Sequence, residues 1–166
     1  MRKKRFKFIV FCALMLVAVL ASATLISPSK ALADGAQRIS GIGYWAEEGE
    51  CNDPEGAGAD FAVRLEGDLV GCKYNFVEST SCTGMTYRES GTEIFVSENG
   101  EGTFRLTYHF TGVYEDCSNL VGEVVGSCHH PIIEGSGTGI FTGSNGRLDF
   151  KDDIEAGNFP YRGHLK

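Results

Sequence analysis

The sequence predicts an all-β protein, an antiparallel barrel or sandwich of about eight to nine strands, which follows an N-terminal signal peptide. Three observations lead to this prediction. Beyond residue 33, no window of about ten residues has the apolar spacing of an amphipathic helix. Several segments alternate between apolar and polar residues, as half-buried strands do. Tight-turn sequences such as Asn99-Gly100 and Asn145-Gly146 separate the strand-like segments.

The first 33 residues have the layout of a secretory signal peptide. Basic residues from Arg2 to Lys7 precede an apolar run, Phe8 to Ile26, and Ala31-Leu32-Ala33 forms a small-residue cleavage site. An uncleaved membrane anchor is the alternative, because the apolar run is long enough to cross a bilayer. We favour cleavage because the site is well placed. The chain then divides into a signal peptide, 1–33, and a domain, 34–166, that is secreted or held in the cell envelope without membrane insertion.

The chain is acidic. It contains 15 Lys and Arg against 22 Asp and Glu, a net charge of −7. Six of the basic residues and none of the acidic ones lie within residues 1–33. The remaining domain therefore keeps nine basic and 22 acidic residues, a net charge of −13. A surface of this charge repels nucleic acid and anionic lipid, so we expect neither as a partner.

The cysteines predict disulfides, because an exported protein meets an oxidising compartment. Five of the six cysteines lie beyond residue 33, and two bridges and one free thiol are the simplest outcome for these five. Cys72 and Cys128 lie on the apolar faces of their predicted strands and are our first candidate for a bridge. A bridge of Cys51 with Cys82 or Cys117 across loops is the alternative. No C-x-x-C sequence is present, which argues against thioredoxin-like redox chemistry.

The central strands follow from alternation. Residues 59–66 and 69–77 are predicted strands, and the second has Val70, Cys72, Tyr74 and Phe76 on its apolar face. Residues 78–84 are rich in Ser and Thr and are predicted as a loop, followed by separate strands at 85–89 and 92–97. The clearest alternation is downstream, where one face consists of Phe104, Leu106, Tyr108 and Phe110.

A glycine-rich run carries a family resemblance. The segment from Gly137 to Gly146, GTGIFTGSNG, resembles the G-x-G-x-F-x-G-x-x-G pattern of the allene oxide cyclase and dirigent barrels. The resemblance implies a single eight-stranded antiparallel, calycin-like barrel with an apolar interior. Known members of these families isomerise a lipid epoxide or orient radicals that couple, without a cofactor. The catalytic residues of neither family can be placed on this chain, so the resemblance carries over a fold and no activity. Cys128 to Ile132 and Phe159 to Leu165 are similar to an uncharacterised secreted bacterial branch.

Two polar residues are candidates for catalysis. In Cys128-His129-His130, alternation along a strand directs His130 inward with Cys128 and His129 outward. The spacing of further ligands does not fit a metal site, so we expect no metal and favour structural histidines. Asp152 points inward near a strand end if it continues the face of Leu148 and Phe150. A solvated strand end is the more common arrangement for such a carboxylate.

The predicted function is non-catalytic binding of a small apolar ligand inside the barrel, with no cofactor. The candidate ligand-binding residues are Phe104, Tyr108, Phe110, Phe150 and Tyr161. The alternative is that these aromatic residues fill a solid core, as in many small barrels. Two further functions stay open: a cofactor-independent isomerase or lyase, which needs inward polar residues such as His130 or Asp152, and an extracellular protein-interaction module.

Overall fold

A computed structural model describes residues 35–52 and 58–166, which form one closed antiparallel barrel. Its strands are β1 (Gln37–Trp45), β2 (Phe61–Gly67), β3 (Gly71–Thr83), β4 (Thr86–Ser97), β5 (Thr103–Asp116), β6 (Val121–Pro131), β7 (Gly146–Lys151) and β8 (Phe159–Leu165). Each strand pairs with the next, and β8 pairs with β1. The all-β, eight-stranded barrel is confirmed, and the sandwich is wrong. The predicted signal peptide, 1–33, lies outside the described residues.

The hairpin of β3 and β4 is longer than the sequence predicts. Residues 78–84 were expected to form a loop, and this expectation is wrong. The two strands stay paired as far as Thr83 and Thr86, with an irregularity between Val77 and Ser79. The hydroxyls of Ser79 and Ser90 lie 2.9 Å apart across the hairpin, and such cross-strand pairs stabilise a sheet. The two strands predicted at 85–89 and 92–97 are therefore one continuous strand.

One end of the barrel is closed by apolar side chains. The ring centroids of Phe95 and Phe104 are 4.9 Å apart, and Phe141 meets both rings edge-on. Phe141 belongs to a short 3-10 turn, Gly139–Phe141, within the glycine-rich connection between β6 and β7. Gly139 has a positive φ of 55°, and a Cβ atom there would collide with the backbone of Glu101. The glycine-rich run thus lets this connection fold closely over the end of the barrel.

The inward face of β3 is the opposite of the predicted one. Lys73 and Asn75 are buried inside the barrel, whereas Cys72 and Tyr74 face outward. Part of this outer face is covered, because Cys51 and Asn52 of the β1–β2 connection lie against it. The Tyr74 hydroxyl donates a hydrogen bond to the carbonyl of Asn52 at 2.6 Å. Around Cys72 and Tyr74, both faces of β3 are therefore at least partly covered, so apolar alternation alone does not identify the inner one.

The disulfides are Cys51–Cys72 and Cys82–Cys117, and the buried Cys128 is free. Two bridges with one free thiol are confirmed. The predicted Cys72–Cys128 bridge is wrong because Cys72 lies on the outer wall and Cys128 on the inner one. The alternative bridges of Cys51 with Cys82 or Cys117 are also wrong. The observed pairs fasten connections to the barrel, and they are compatible with an extracytoplasmic protein. No helix within the described ranges is long and apolar enough to cross a membrane.

Peptide mapping without reduction tests this pairing. We expect linked peptides that contain Cys51 with Cys72 and Cys82 with Cys117, and a Cys128 thiol that is alkylated only after denaturation because it is buried in the folded chain. Mass spectrometry of the oxidised protein, alkylated with and without guanidinium, provides the measurement. A linked peptide that contains Cys128 would contradict the structure.

Candidate functional site

The barrel contains a cavity of about 340 Å³ that opens at the end opposite the apolar plug. Its mouth lies among the connections β1–β2, β3–β4, β5–β6 and β7–β8. Trp45, Phe61 and Phe159 form an aromatic cluster at this mouth, with Trp45 edge-on to both phenylalanine rings. The other aromatic lining residues are Tyr87, Tyr108, Phe110, Tyr114 and Phe150. The solid-core alternative is therefore wrong for this half of the barrel.

A charged network lies at the inner end of the cavity, between the aromatic mouth and the apolar plug. It consists of Lys73 on β3, Glu93 on β4 and His130 on β6, all buried and all lining the cavity. The Lys73 ammonium bonds one carboxylate oxygen of Glu93, and the other oxygen lies 2.6 Å from His130 Nδ1. Lys73 also donates to the side-chain oxygen of Asn75 at 2.9 Å. We call Lys73, Glu93 and His130 the buried triad.

The protonation states of the buried triad follow from its geometry. Burial opposes ionisation of Glu93, but the charge of the Lys73 ammonium and the hydrogen bonds from Lys73 and His130 lower the pKa of Glu93 overall, so Glu93 is a carboxylate. Burial lowers the pKa of His130, and the nearby Lys73 ammonium adds to this effect, although Glu93 opposes it. We therefore assign a neutral His130 whose Nδ1–H donates to Glu93. Its Nε2 then carries a lone pair, because a neutral imidazole has one donor and one acceptor.

The Nε2 atom of His130 is buried and has no hydrogen-bond partner among the described residues. The imidazole is held between two rings, with Tyr108 stacked at 6.0 Å and Phe150 tilted at 4.6 Å between centroids. A buried polar atom without a partner is uncommon, because it loses its hydration without compensation. This acceptor, on a side chain that lines the cavity, is the most conspicuous polar feature of the site.

Glu89 forms a second polar group higher in the cavity. One of its oxygens accepts the Tyr108 hydroxyl at 2.8 Å, and the other accepts the Tyr87 hydroxyl at 2.7 Å. Burial and the hydrogen bond to Glu89 raise the pKa of Tyr87 to about 12. Both phenols therefore remain protonated at neutral pH, and both of their donors are occupied.

A carboxyl pair, Glu123 and Asp152, also lines the cavity. Both carboxyls lie against Gly126, where a Cβ atom would collide with each of them. Burial, and then the hydrogen bond and the charge of Glu123, raise the pKa of Asp152 to about 8. At neutral pH Asp152 holds a proton that it donates to Glu123. This proton supplies the donor that Glu123 Oε1 otherwise lacks among the described residues.

The five aromatic residues predicted to bind a ligand are divided by the structure. Tyr108, Phe110 and Phe150 line the cavity. Phe104 is fully buried in the apolar plug, and Tyr161 does not line the cavity. The Tyr161 hydroxyl accepts from the backbone amide of Leu69 at 3.0 Å and thus has a structural partner. Apolar alternation predicts that these side chains point into the barrel, but it does not indicate which of them belong to the apolar plug and which line the cavity.

The two polar candidates lie in the cavity. His130 points inward with Cys128, as alternation predicts, while the exposed His129 bonds Asp149 at 2.7 Å on the outer surface. Asp152 directly follows the end of β7, where it is half-buried and lines the cavity. Within the described ranges, no group of three or more His, Cys, Asp or Glu side chains is arranged to hold a metal ion.

Lys73, Glu93 and Glu89 were missed, although they decide the chemistry of the cavity. Charged residues in an alternating strand are usually read as facing solvent. A signal was available in β4, where Glu89 and Glu93 share the parity of the fully buried Phe95. The internal pairing of an acid on β4 with a lysine on β3 could not be read from either strand alone.

The substitution Glu93→Gln tests the buried triad. It leaves the Lys73 ammonium buried without its counter-ion, so we expect a loss of about 3–5 kcal/mol in the free energy of unfolding. Adding Lys73→Met should recover part of this loss because it removes the unpaired charge. Glu66→Gln, which breaks a pair with Arg64 at the solvent-exposed surface, should cost far less, because solvent screens that pair. Urea unfolding gives all three values, and equal losses for Glu93→Gln and Glu66→Gln would contradict the assignment.

The substitution Asp152→Asn tests the carboxyl pair. Asp152 binds its proton more tightly in the folded chain, where its pKa is about 8, than at its ordinary value of 3.8. The associated stability is present below about pH 4 and is lost as the pH rises through about 8. Thermal unfolding should show the wild type losing stability from pH 5 to pH 9, and Asp152→Asn losing less. The exposed substitution Glu134→Gln is the control, and a variant with an unchanged pH profile would count against a shared proton.

Comparisons of this chain with family models, with curated proteins and with solved structures find no match. Similarity to known proteins therefore assigns no family, and the chemistry of the cavity residues is the basis for assigning a function.

Proposed function

We propose that this protein binds a small, largely apolar ligand in the open half of its barrel. The observation that carries the proposal is the cavity of about 340 Å³, with an aromatic mouth and a polar inner end. Cavities of this size, mainly apolar with a few placed polar groups, are typical of small-molecule sites. Trp45 is 57% exposed at the mouth although its ring packs on Phe61 and Phe159. An entering ligand would cover this apolar surface.

A cofactor-independent isomerase or lyase is a second candidate, because His130 has the features of a general base. A carboxylate orients the imidazole, and its free nitrogen belongs to a side chain that lines the cavity. The protonated Asp152 could supply the acid. This candidate requires that His130→Gln abolish turnover while ligand binding persists. Turnover that survives His130→Gln would remove it.

We also propose that the domain is exported and is a distant relative of the allene oxide cyclase and dirigent barrels. The closed eight-stranded barrel and the glycine-rich run over its plugged end support the relationship. The signal-like N-terminus and two disulfides support export. Sequencing the N-terminus of the protein from its native host should give a mature chain that begins at Asp34. An intact Met1 on a membrane-bound protein would contradict export with cleavage.

Filling the cavity tests the ligand proposal. Cys128 and Ser127 are neighbours on β6, but Cys128 lines the cavity and Ser127 is exposed on the outer wall. We expect Cys128→Phe to reduce binding of the neutral dye N-phenyl-1-naphthylamine at least about tenfold, which corresponds to about 1.4 kcal/mol. Ser127→Phe should leave binding unchanged. Quenching of Trp45, the single tryptophan, reports dye at the mouth.

Circular dichroism controls for folding of both variants, and competition by an unlabelled apolar ligand on the wild type provides a measurement that needs no variant. A wild-type chain that binds neither the dye nor a ten-carbon ligand would contradict the proposed function.

A further inference from the structure

Three hydrogen-bond donor side chains that line the cavity are already used by the protein itself. The Tyr87 and Tyr108 hydroxyls donate to Glu89, and the Lys73 ammonium donates to Asn75 and Glu93. The ammonium also lies 5.1 Å from the centroid of the Phe150 ring, within cation–π range. A ligand that needs a donor from one of these three side chains would have to break one of these interactions.

The Asn75 amide and the Cys128 thiol are two further polar groups that line the cavity. Asn75 Nδ2 donates to the backbone oxygens of Phe61, at 3.4 Å, and Lys73, at 3.2 Å. Burial raises the pKa of the Cys128 thiol, which therefore stays protonated and is only a weak donor. Neither group offers a ligand a strong donor.

The inner end of the cavity offers an acceptor instead. His130 Nδ1 is committed to Glu93 at 2.6 Å, and Nε2 is buried with no partner among the described residues. An unpaired acceptor at this depth favours a ligand that brings a hydrogen-bond donor, because each such group costs free energy until it is paired.

Charge limits the ligand further. The Lys73 ammonium and the Glu93 carboxylate balance each other at the inner end, and both are almost completely buried. An added carboxylate or ammonium would remain uncompensated at a depth where burial of a charge is costly. The polar group that fits beside His130 is therefore uncharged.

We infer that the ligand is a neutral amphipathic alcohol, whose hydroxyl donates to His130 Nε2 and whose apolar chain extends toward Trp45, Phe61 and Phe159 at the mouth. This inference rests on the proposed ligand-binding function and narrows it to a chemical class. The imidazole is already fixed by Glu93, Tyr108 and Phe150, so it needs no further ordering when a ligand binds. Nε2 has almost no accessible surface in the unliganded chain, so a neighbouring ring shifts to admit the hydroxyl.

Four ligands with the same ten-carbon chain test the inference on the wild-type protein. They are 1-decanol, 1-methoxydecane, decanoate and decylamine, measured at pH 7 by displacement of N-phenyl-1-naphthylamine. We expect 1-decanol to bind at least about tenfold more tightly than each of the others, since the ether lacks the donor and the two ions add a buried charge. An ether that binds as tightly as the alcohol would overturn the inference, and so would tighter binding of either ion.

A pair of histidine variants locates the preference. His130→Phe removes the acceptor and keeps a ring of similar size, so the ratio of the decanol affinity to the ether affinity should fall to less than about threefold. His129→Phe changes the exposed neighbour on the outer wall and should leave the preference unchanged. A full alcohol preference in a folded His130→Phe protein would overturn the inference. If that variant does not fold, the wild-type ligand series decides alone.

The two proposals fail in different ways. Binding of the dye and of the ether without an alcohol preference would contradict the ligand class and leave the ligand-binding function intact. No binding of the dye or of any ten-carbon ligand would contradict both.

Discussion

The buried Lys73–Glu93–His130 triad is the interaction on which the rest of the barrel depends. It joins β3, β4 and β6, so one set of hydrogen bonds crosses the interior between strands that are not all neighbours. A small barrel is usually filled by apolar side chains along its whole length. Here the charges occupy the middle, and they are tolerable at that depth only because each is paired. Apolar packing therefore ends at the triad, and the space above it stays open.

The two ends of the barrel are stabilised by different means. Phe95, Phe104 and Phe141 close one end through ring packing beneath the glycine-rich connection. The open end lacks such a plug, and the Cys82–Cys117 bridge joins the tip of the β3–β4 hairpin to the β5–β6 connection there. Cys51–Cys72 holds the β1–β2 connection against the outer wall. The Cys82–Cys117 bridge thus adds a covalent link beside the cavity mouth, where a ligand must enter.

Sequence patterns correctly predicted those features of the structure that can be inferred from a single strand and its flanking turns. Alternation correctly directed Phe104, Tyr108 and His130 inward, and turn sequences separated most strands. Apolar alternation predicted the wrong inner face for β3, because the apolar side chains of this strand lie on its outer face, against the β1–β2 connection. Lys73 was missed because its burial depends on an ion pair with Glu93 of the neighbouring strand, which the pattern of β3 alone does not indicate. The predicted Cys72–Cys128 bridge was wrong because Cys72 had been assigned to the inner wall.

The central claim is that the cavity ends at a neutral His130 that presents Nε2 as an unprotonated acceptor above an ionised Glu93. Nitrogen-15 NMR of the histidine rings between pH 5 and pH 8 tests this most directly. The structure predicts that His130 stays in the Nδ1–H tautomer at pH 7, with a pKa below the ordinary value of 6.5 because burial opposes its charge. The exposed His129 serves as an internal reference. A His130 imidazolium at pH 7, or a proton on Nε2, would contradict the account.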